Sequence, residues 1–362
     1  EYERGDLEKG FSDADEIIED TFTTEVLIHN PTEVHCSVVK WNDDLLTVWD
    51  STQGVYSVRG KLAKALDLPE EKVKVIKEYM GGGFGSKLEA GKYTAIAAIL
   101  SKKIKRPIRV ALDRKQMNLS VGNRPNSIQK LKLGVKKNGN LTAMMHESKA
   151  AVGAYPTGGG CSWPFKTIYK CDNVKTIDYS IITNTGKARP FRAPGHVQGI
   201  FGLDSIIDMA AEKIGMDPLE FRLINYAEKD QVWNLEYTSK LLREAYKAGA
   251  EKIKWERRNK IAGSSKGYLK RGIGMASQIW WGGGGPPAHA NIEITKNGKI
   301  TVYSGTQDLG TGTYTIIAQV AAEILELPIS KINVIIGNTE IAPYAPSSGG
   351  STTAPSLSLI HI

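Results

Sequence analysis

Two stretches of the chain carry the same order of apolar and polar positions. Leu45 to Trp49 is a strand-like run that ends at Ser51-Thr52-Gln53; a helical pattern over Leu62-Ala63-Lys64-Ala65-Leu66 follows and stops at Asp67-Leu68-Pro69. Strand alternation then resumes over Lys72-Val73-Lys74-Val75-Ile76. Ile300 to Tyr303, Thr306-Gln307, Val320 to Leu325, Leu327-Pro328 and Lys331 to Ile335 repeat that order, again with Lys three residues after Pro. Each copy predicts strand, helix, strand. Each then runs into glycine: Gly81-Gly82-Gly83-Phe84-Gly85-Ser86-Lys87 in the first and Ser347-Ser348-Gly349-Gly350-Ser351 in the second. Such loops offer backbone N–H groups, so one reading places an anionic or strongly polar ligand between the two halves. The other is a repeated α+β unit with no shared ligand.

Between the copies the periodicity predicts a long Ala-rich helix from Glu89 to Ser101 and strands at Arg109 to Leu112 and Ile128 to Val135. A second amphipathic helix presents Phe201, Ile206, Ile207, Ala210 and Ile214 as core and ends near Gly215; Asp217-Pro218 then opens another as cap and first residue.

At 362 residues the chain favours two domains, and 41% hydrophobic with 24% charged residues excludes a disordered, collagenous or coiled-coil protein. The net charge of +8 changes little, because eight Lys/Arg against two Glu fall between Glu251 and Arg271. That run reads as a solvated basic connector, with no nucleic-acid motif beside it. Cys36, Cys161 and Cys171 form no disulfide framework and no C-x-x-C pair, so a reducing, cytoplasmic location is expected. No apolar run is long enough to insert in a membrane. The chain begins without Met and stops in Leu359-Ile360-His361-Ile362, so a fragment is expected.

Gly81 to Lys87 is the sharpest motif. It satisfies neither G-x-x-x-x-G-K-[ST] nor G-x-G-x-x-G, yet clustered glycines between a strand and a helix suit an anion-accepting nest at the helix N-terminus, with a tight structural turn as the alternative. Arg189-Pro190-Phe191-Arg192-Ala193-Pro194-Gly195 is a stiff loop, fit to wall a site or to connect surface elements. Gly282 to Gly285 and Pro286-Pro287, after Trp280-Trp281, reads as a substrate lid or a flexible link. The histidines lack zinc-site spacing; His29, Glu33 and His35 alternate as on one strand, as an edge cluster or a ligand set.

Taken together, Glu3-Arg4-Gly5-Asp6 through Phe11, Ser51-Thr52-Gln53, the Gly81 to Lys87 loop, Phe191-Arg192-Ala193-Pro194-Gly195 with Gln198-Gly199, Gln307-Asp308-Leu309-Gly310-Thr311-Gly312-Thr313 and Gly349-Gly350-Ser351 resemble the molybdenum-binding subunit of the xanthine dehydrogenase and aldehyde oxidase family. The resemblance runs in order over nearly the whole chain. It implies an α+β protein of two related molybdenum-binding α/β domains with mixed sheets: a first domain over 1–250, the connector at 251–270, and the start of a truncated second over 271–362.

The resemblance further implies a molybdenum-molybdopterin cofactor, plain or as the cytosine dinucleotide, with the metal held through the pterin and by no direct protein ligand. Gln53 would hydrogen-bond a molybdenum ligand; Gly83, Phe84, Gly85 and Arg192 would approach the metal's ligands by backbone; Thr311, Gly349, Gly350 and Ser351 would hold the cofactor from the other half. The G-T-G at Gly310 to Gly312 departs from the family's common G-Q-G, leaving Thr311 a backbone contact.

The implied reaction hydroxylates an electrophilic C–H carbon with oxygen from water, a glutamate acting as base and hydride reducing the metal by two electrons. That glutamate is expected beyond this chain. Iron–sulfur and FAD subunits would take the electrons, in an assembly such as a dimer of heterotrimers. Leu88 and Pro194 stand where purine-recognising members carry glutamate and phenylalanine, and the Phe191-Arg192 loop has no cysteine, which disfavours purines and carbon monoxide. An aldehyde or aromatic N-heterocycle remains, lined by Leu88, Pro194 and Trp280. The rival readings are a non-catalytic module that binds or assembles the cofactor, and a scaffold whose glycine loops bridge subunits.

Overall fold

A computed structural model of the chain describes residues 1–261, 263–280 and 287–357. It is mixed α/β with several mixed sheets, in two compact units that interleave along the sequence: Glu1–Glu25, Pro125–Thr185 and Pro194–Trp280 form the first, and Val26–Arg124, Gly186–Ala193 and Trp281–Ile362 the second. Residues 251–270 lie within the first unit. Among the described residues no helix is long and apolar enough to cross a membrane.

The first unit is built on a five-stranded sheet, ordered Tyr2–Arg4, Val174–Ile182, Leu141–Gly153, Ser127–Val135, Glu16–Thr24. Only the Leu141–Gly153 and Val174–Ile182 pair is parallel. The helix His196–Lys213 covers it, burying Leu203, Ile206, Ile207 and Ala210 against Leu131, Leu133, Met144 and Phe165. Phe201, expected in that core, is half exposed and meets Phe22 edge-on. It precedes Leu203 by two positions, about 200° around the helix, which turns it away from the buried stripe. Asp217 caps the next helix, Pro218–Ile224, through the amides of Leu219 and Glu220. Trp255 and Arg258 of the basic segment tie down onto the same carboxylate.

Both copies of the repeat fall in the second unit. In each, the two strands pair in parallel: Leu45–Asp50 with Val73–Ile76, and Ile300–Ser304 with Ile332–Ile336. Their helices, Val55–Leu66 and Thr313–Ile324, end alike, with Asp67 (φ 54°) and Glu326 (φ 52°) left-handed and the next amide, Leu68 or Leu327, returning to Ala63 or Ala322. The shared Pro-x-x-Lys spacing is a 3₁₀ turn in which Lys72 and Lys331 donate their amides to Pro69 and Pro328. Each copy also carries an antiparallel strand before it that the repeat had not shown, Cys36–Asn42 and Ala290–Ile294.

The two copies abut at the ends of their second strands. Lys77 N donates to Gly337 O at 2.7 Å, Thr339 N to Val75 O at 3.0 Å, and Val75 N to the Thr339 hydroxyl at 2.9 Å. The helix expected from Glu89 begins instead at Lys92, after Gly91, and runs to Ile104. Glu89 is drawn off to pair with Arg189 and Lys61. Thr94, Ala97, Ala98 and Ser101 form its buried face, small enough to lie close on the sheet.

Candidate functional site

Strand Leu45–Asp50 delivers Ser51-Thr52-Gln53 into the second unit's interior, where Gln53 is 2% exposed. Its Oε1 accepts from the amides of Gly85 (2.7 Å) and Lys87 (3.3 Å), while its Nε2 donates to Ser348 O at 2.9 Å. Its backbone is stitched to the same two loops: Gln53 N to Lys87 O, and Ser348 N to Gln53 O, both at 2.7 Å. The third loop joins through Arg192 N, which donates to Phe84 O at 2.9 Å. The glycine loop, the Phe191-Arg192 loop and the loop before Gly349 therefore converge within the second unit.

The equivalent glutamine of the second copy reaches the same point. Gln307 is wholly buried; its Oε1 accepts from Ser348 N (3.2 Å) and Ser348 Oγ (3.1 Å), and its backbone carbonyl accepts the same hydroxyl at 3.1 Å. The sequence pairs the two glutamines as matched Thr-Gln steps, and the resemblance gives a role to Gln53 and none to Gln307.

The geometry revises several expectations. The glycine loop does not open a helix: Ser86 N turns back to Gly83 O, and the helix waits until Lys92. The amides of Gly85 and Arg192 are already paired within the protein, so they support the loops. Thr311 N donates at 2.9 Å to Asp308 Oδ1, which also accepts from Gly310 N, so its amide caps its own loop. Leu88 lies beside Gly349, whose added Cβ would stand 2.9 Å from a Leu88 methyl. Pro194 and Trp280 belong to the first unit, where Trp280 packs on His196 at 4.7 Å between rings. The Gly282 to Gly285 run, with Trp281 and Pro286, lies outside the described residues.

His29, Glu33 and His35 do not share a strand. Asn30 is left-handed (φ 41°) and Pro31 follows, which bends the segment around the site ahead of Cys36–Asn42. His29 Nε2 lies 2.7 Å from Pro190 O, and His35 Nε2 3.4 Å from Ser86 O. Glu33 pairs with Lys87, whose side chain is fully buried. Burial lowers Lys87 and would raise Glu33, but the Lys87 hydrogen bond and charge hold the Glu33 carboxyl below its usual range.

His35 is 2% exposed, and burial, with Lys87 adding to it, lowers it from 6.5 to about 4. The unfolded chain thus binds a proton below pH 6.5 that the folded chain refuses, so stability falls with pH until about 4. A shift of this size corresponds to about 3 kcal/mol. Urea unfolding at pH 7 and pH 5 should show a smaller acid loss in His35→Gln than in the parent; equal losses would refute the assignment.

The arrangement suits a large anionic ligand held by backbone. Among the described residues, the amides of Gly83, Phe84, Gly349, Gly350 and Ser351 donate to no protein acceptor, and Phe84, Gly350 and Ser351 are exposed. Gly350 (φ 66°) and Ser351 (φ 60°) are both left-handed and exposed, so their unpaired amides lie on an open turn. Gln53 keeps a second Nε2 hydrogen to give.

Two family models, each described as a molybdopterin cofactor-binding domain, match this chain, one over residues 1–226 and the other over residues 248–358. The aldehyde oxidoreductase molybdenum-binding subunit PaoC of Escherichia coli (strain K12) is 33% identical over 96% of this chain and 47% of its own length. The putative xanthine dehydrogenase molybdenum-binding subunit XdhA of the same organism is 29% identical over 98% of this chain and 49% of its own length. The solved aldehyde oxidoreductase from Desulfovibrio gigas superposes with a TM-score of 0.82 at 26% identity, over 96% of this chain and 40% of that one. The chain spans about half the length of the curated relatives it matches.

Proposed function

The chain belongs to the molybdopterin-binding subunits of the xanthine dehydrogenase and aldehyde oxidoreductase family, and from that premise we propose that it forms part of a molybdenum hydroxylase that oxidises an aldehyde. The observation that carries the proposal is the convergence of both repeat copies, through Gln53 and Gln307, on the loop that leads to Gly349.

The residues present fit the cofactor. The amides of Gly83, Phe84 and Gly349 to Ser351 would donate to its anionic and sulfur atoms, and the second Nε2 hydrogen of Gln53 would orient a ligand of the metal. When bound, the cofactor supplies a two-electron acceptor for hydroxylation with oxygen from water. Two of the relatives above are named aldehyde oxidoreductases, which supports an aldehyde as the substrate. Electrons would leave through iron–sulfur and FAD subunits.

The test is the full-length protein with its partner subunits, assayed for molybdenum and pterin and for oxidation of an aldehyde, quinoline and hypoxanthine in ¹⁸O-water. Aldehyde turnover with label in the acid is expected. Absence of molybdenum would overturn the cofactor reading, faster quinoline turnover the substrate class, and a metal-loaded protein inert to all three would favour the assembly module.

A further inference from the structure

Glu33 has no part in the cofactor contacts proposed above, yet one of its oxygens gathers three donors from two segments of the site. Its Oε2 accepts from Lys87 Nζ at 2.8 Å, Ser51 Oγ at 2.9 Å and Gly81 N at 3.2 Å. Gly81 and Lys87 are the two ends of the glycine loop, and Ser51 lies two residues before Gln53. The main chain repeats the tie: Glu33 N donates to Gly81 O at 3.1 Å, and Glu33 O accepts Lys87 Nζ at 3.1 Å.

The pair is a demanding one to keep for mere cohesion. A fully buried ammonium costs several kcal/mol to desolvate and is retained only where a charged partner and further hydrogen bonds offset it. Among the described residues Glu33 is the carboxylate in ion-pair contact with Lys87, and its carboxylate is in turn only partly covered, with a third of the side chain exposed. The side of Gln53 that meets Gly85 and Lys87 is thus held by a carboxylate reaching in from a different segment.

We infer that Glu33 is a positioning residue: its carboxylate ties both ends of the glycine loop to the strand end that carries Gln53, so that the amides of Gly83 and Phe84 and the Gln53 side chain keep one fixed spacing. The consequence for turnover rests on the cofactor reading above; the tie itself does not. Ser51 is the joint between strand and loop, Lys87 is the anchor, and Gly81 is the hinge that Glu33 closes.

The experiment uses the full-length protein with its partner subunits and four variants: Glu33→Gln, Glu33→Asp, Lys87→Met, and Glu33→Gln with Lys87→Met. Hydrogen exchange is followed over residues 51–53 and 81–87 in cofactor-free protein, and kcat, KM and the Mo(V) paramagnetic resonance spectrum are recorded per bound molybdenum. Glu33→Gln should speed exchange in both segments together by at least about tenfold. It should also shift the Mo(V) spectrum and lower kcat about tenfold or more, as a small displacement of positioned groups does, with KM within about twofold. Glu33→Asp should recover part of both effects. The double variant, free of an unpaired buried charge, keeps the protein folded if Glu33→Gln alone does not, and should still show the fast exchange.

Unchanged exchange at 51–53 and 81–87 in a folded variant would overturn the tie. Fast exchange with an unaltered Mo(V) spectrum and kcat per molybdenum would reduce Glu33 to a structural role and overturn the positioning claim. A parent protein that binds no molybdenum would instead overturn the cofactor reading, while the exchange result would still decide the tie.

Discussion

Gly85→Val is expected to give a folded protein that retains less than about a tenth of the parent's molybdenum, the loss following from backbone geometry. Gly85 sits at φ +109°, and an added Cβ would lie 2.1 Å from Pro190 O and 2.7 Å from Pro190 C. Both obstacles are main chain, so no rotamer change relieves them. A left-handed β-branched residue adds strain of about 1–3 kcal/mol. Either the glycine loop or the Arg189 to Arg192 loop must move, and with it the Gly85 amide that Gln53 holds. The sequence already singles out this glycine for a close approach; the structure shows that the approach is to another loop of the protein. Metal analysis of protein shown to be folded by circular dichroism checks the expectation. Gly186→Ala is the control, since nothing stands within 4 Å of its added Cβ. Full molybdenum content in folded Gly85→Val would refute it.

The second large effect lies in the first unit. Arg222, wholly buried, links the helices Pro218–Ile224 and His196–Lys213: it donates to Asp208 Oδ1 at 2.7 Å and to the Tyr169 hydroxyl at 3.1 Å, and stands 3.5 Å from Asp204 Oδ2. Tyr169 in turn donates to Asp204 Oδ1 at 2.6 Å. Burial already raises the Asp204 carboxyl, and Arg222 is the largest influence opposing it. Arg222→Met strands that carboxylate and is expected to cost about 3–5 kcal/mol in urea unfolding. The sign of its pH dependence is fixed. A carboxyl raised on folding favours the folded state while protonated and loses that contribution as pH rises. The deficit of the variant should therefore shrink on acidification, and Asp204→Asn added to Arg222→Met should recover part of it at pH 7. A loss under about 1 kcal/mol at pH 7 would show that the buried pair contributes little net stability.

The repeat was legible because its signals are local. A left-handed stop, a proline and a lysine three residues on produce the same 3₁₀ turn twice, at Pro69 and at Pro328. The antiparallel strands Cys36–Asn42 and Ala290–Ile294 were not, since their sequences share no motif and their pairing is set by partners. The glycine loop could be found from sequence because glycine marks close backbone approach, whereas Gln53 was marked by the repeat and by the family resemblance. The spacing of Glu33 and His35 imitates strand alternation, whereas Asn30 and Pro31 bend the segment into a brace. Gln307 was unmarked as a site residue, because the bond from its side chain to Ser348 spans a loop whose conformation no local pattern encodes.

The double hold on Ser348 sets a clock. Its amide is shared between the backbone of Gln53 and the side chain of Gln307, its carbonyl is taken by Gln53, and its hydroxyl faces Gln307. With Ser348 buried, these bonds have no water to replace them, and the Gly349 loop cannot lift away without breaking them together. Opening is then a local unfolding event, slower than ordinary loop fluctuation. A cofactor as large as a pterin is expected to be installed while the second copy is still docking, early in the life of the polypeptide, and once installed to leave on the timescale of subglobal unfolding.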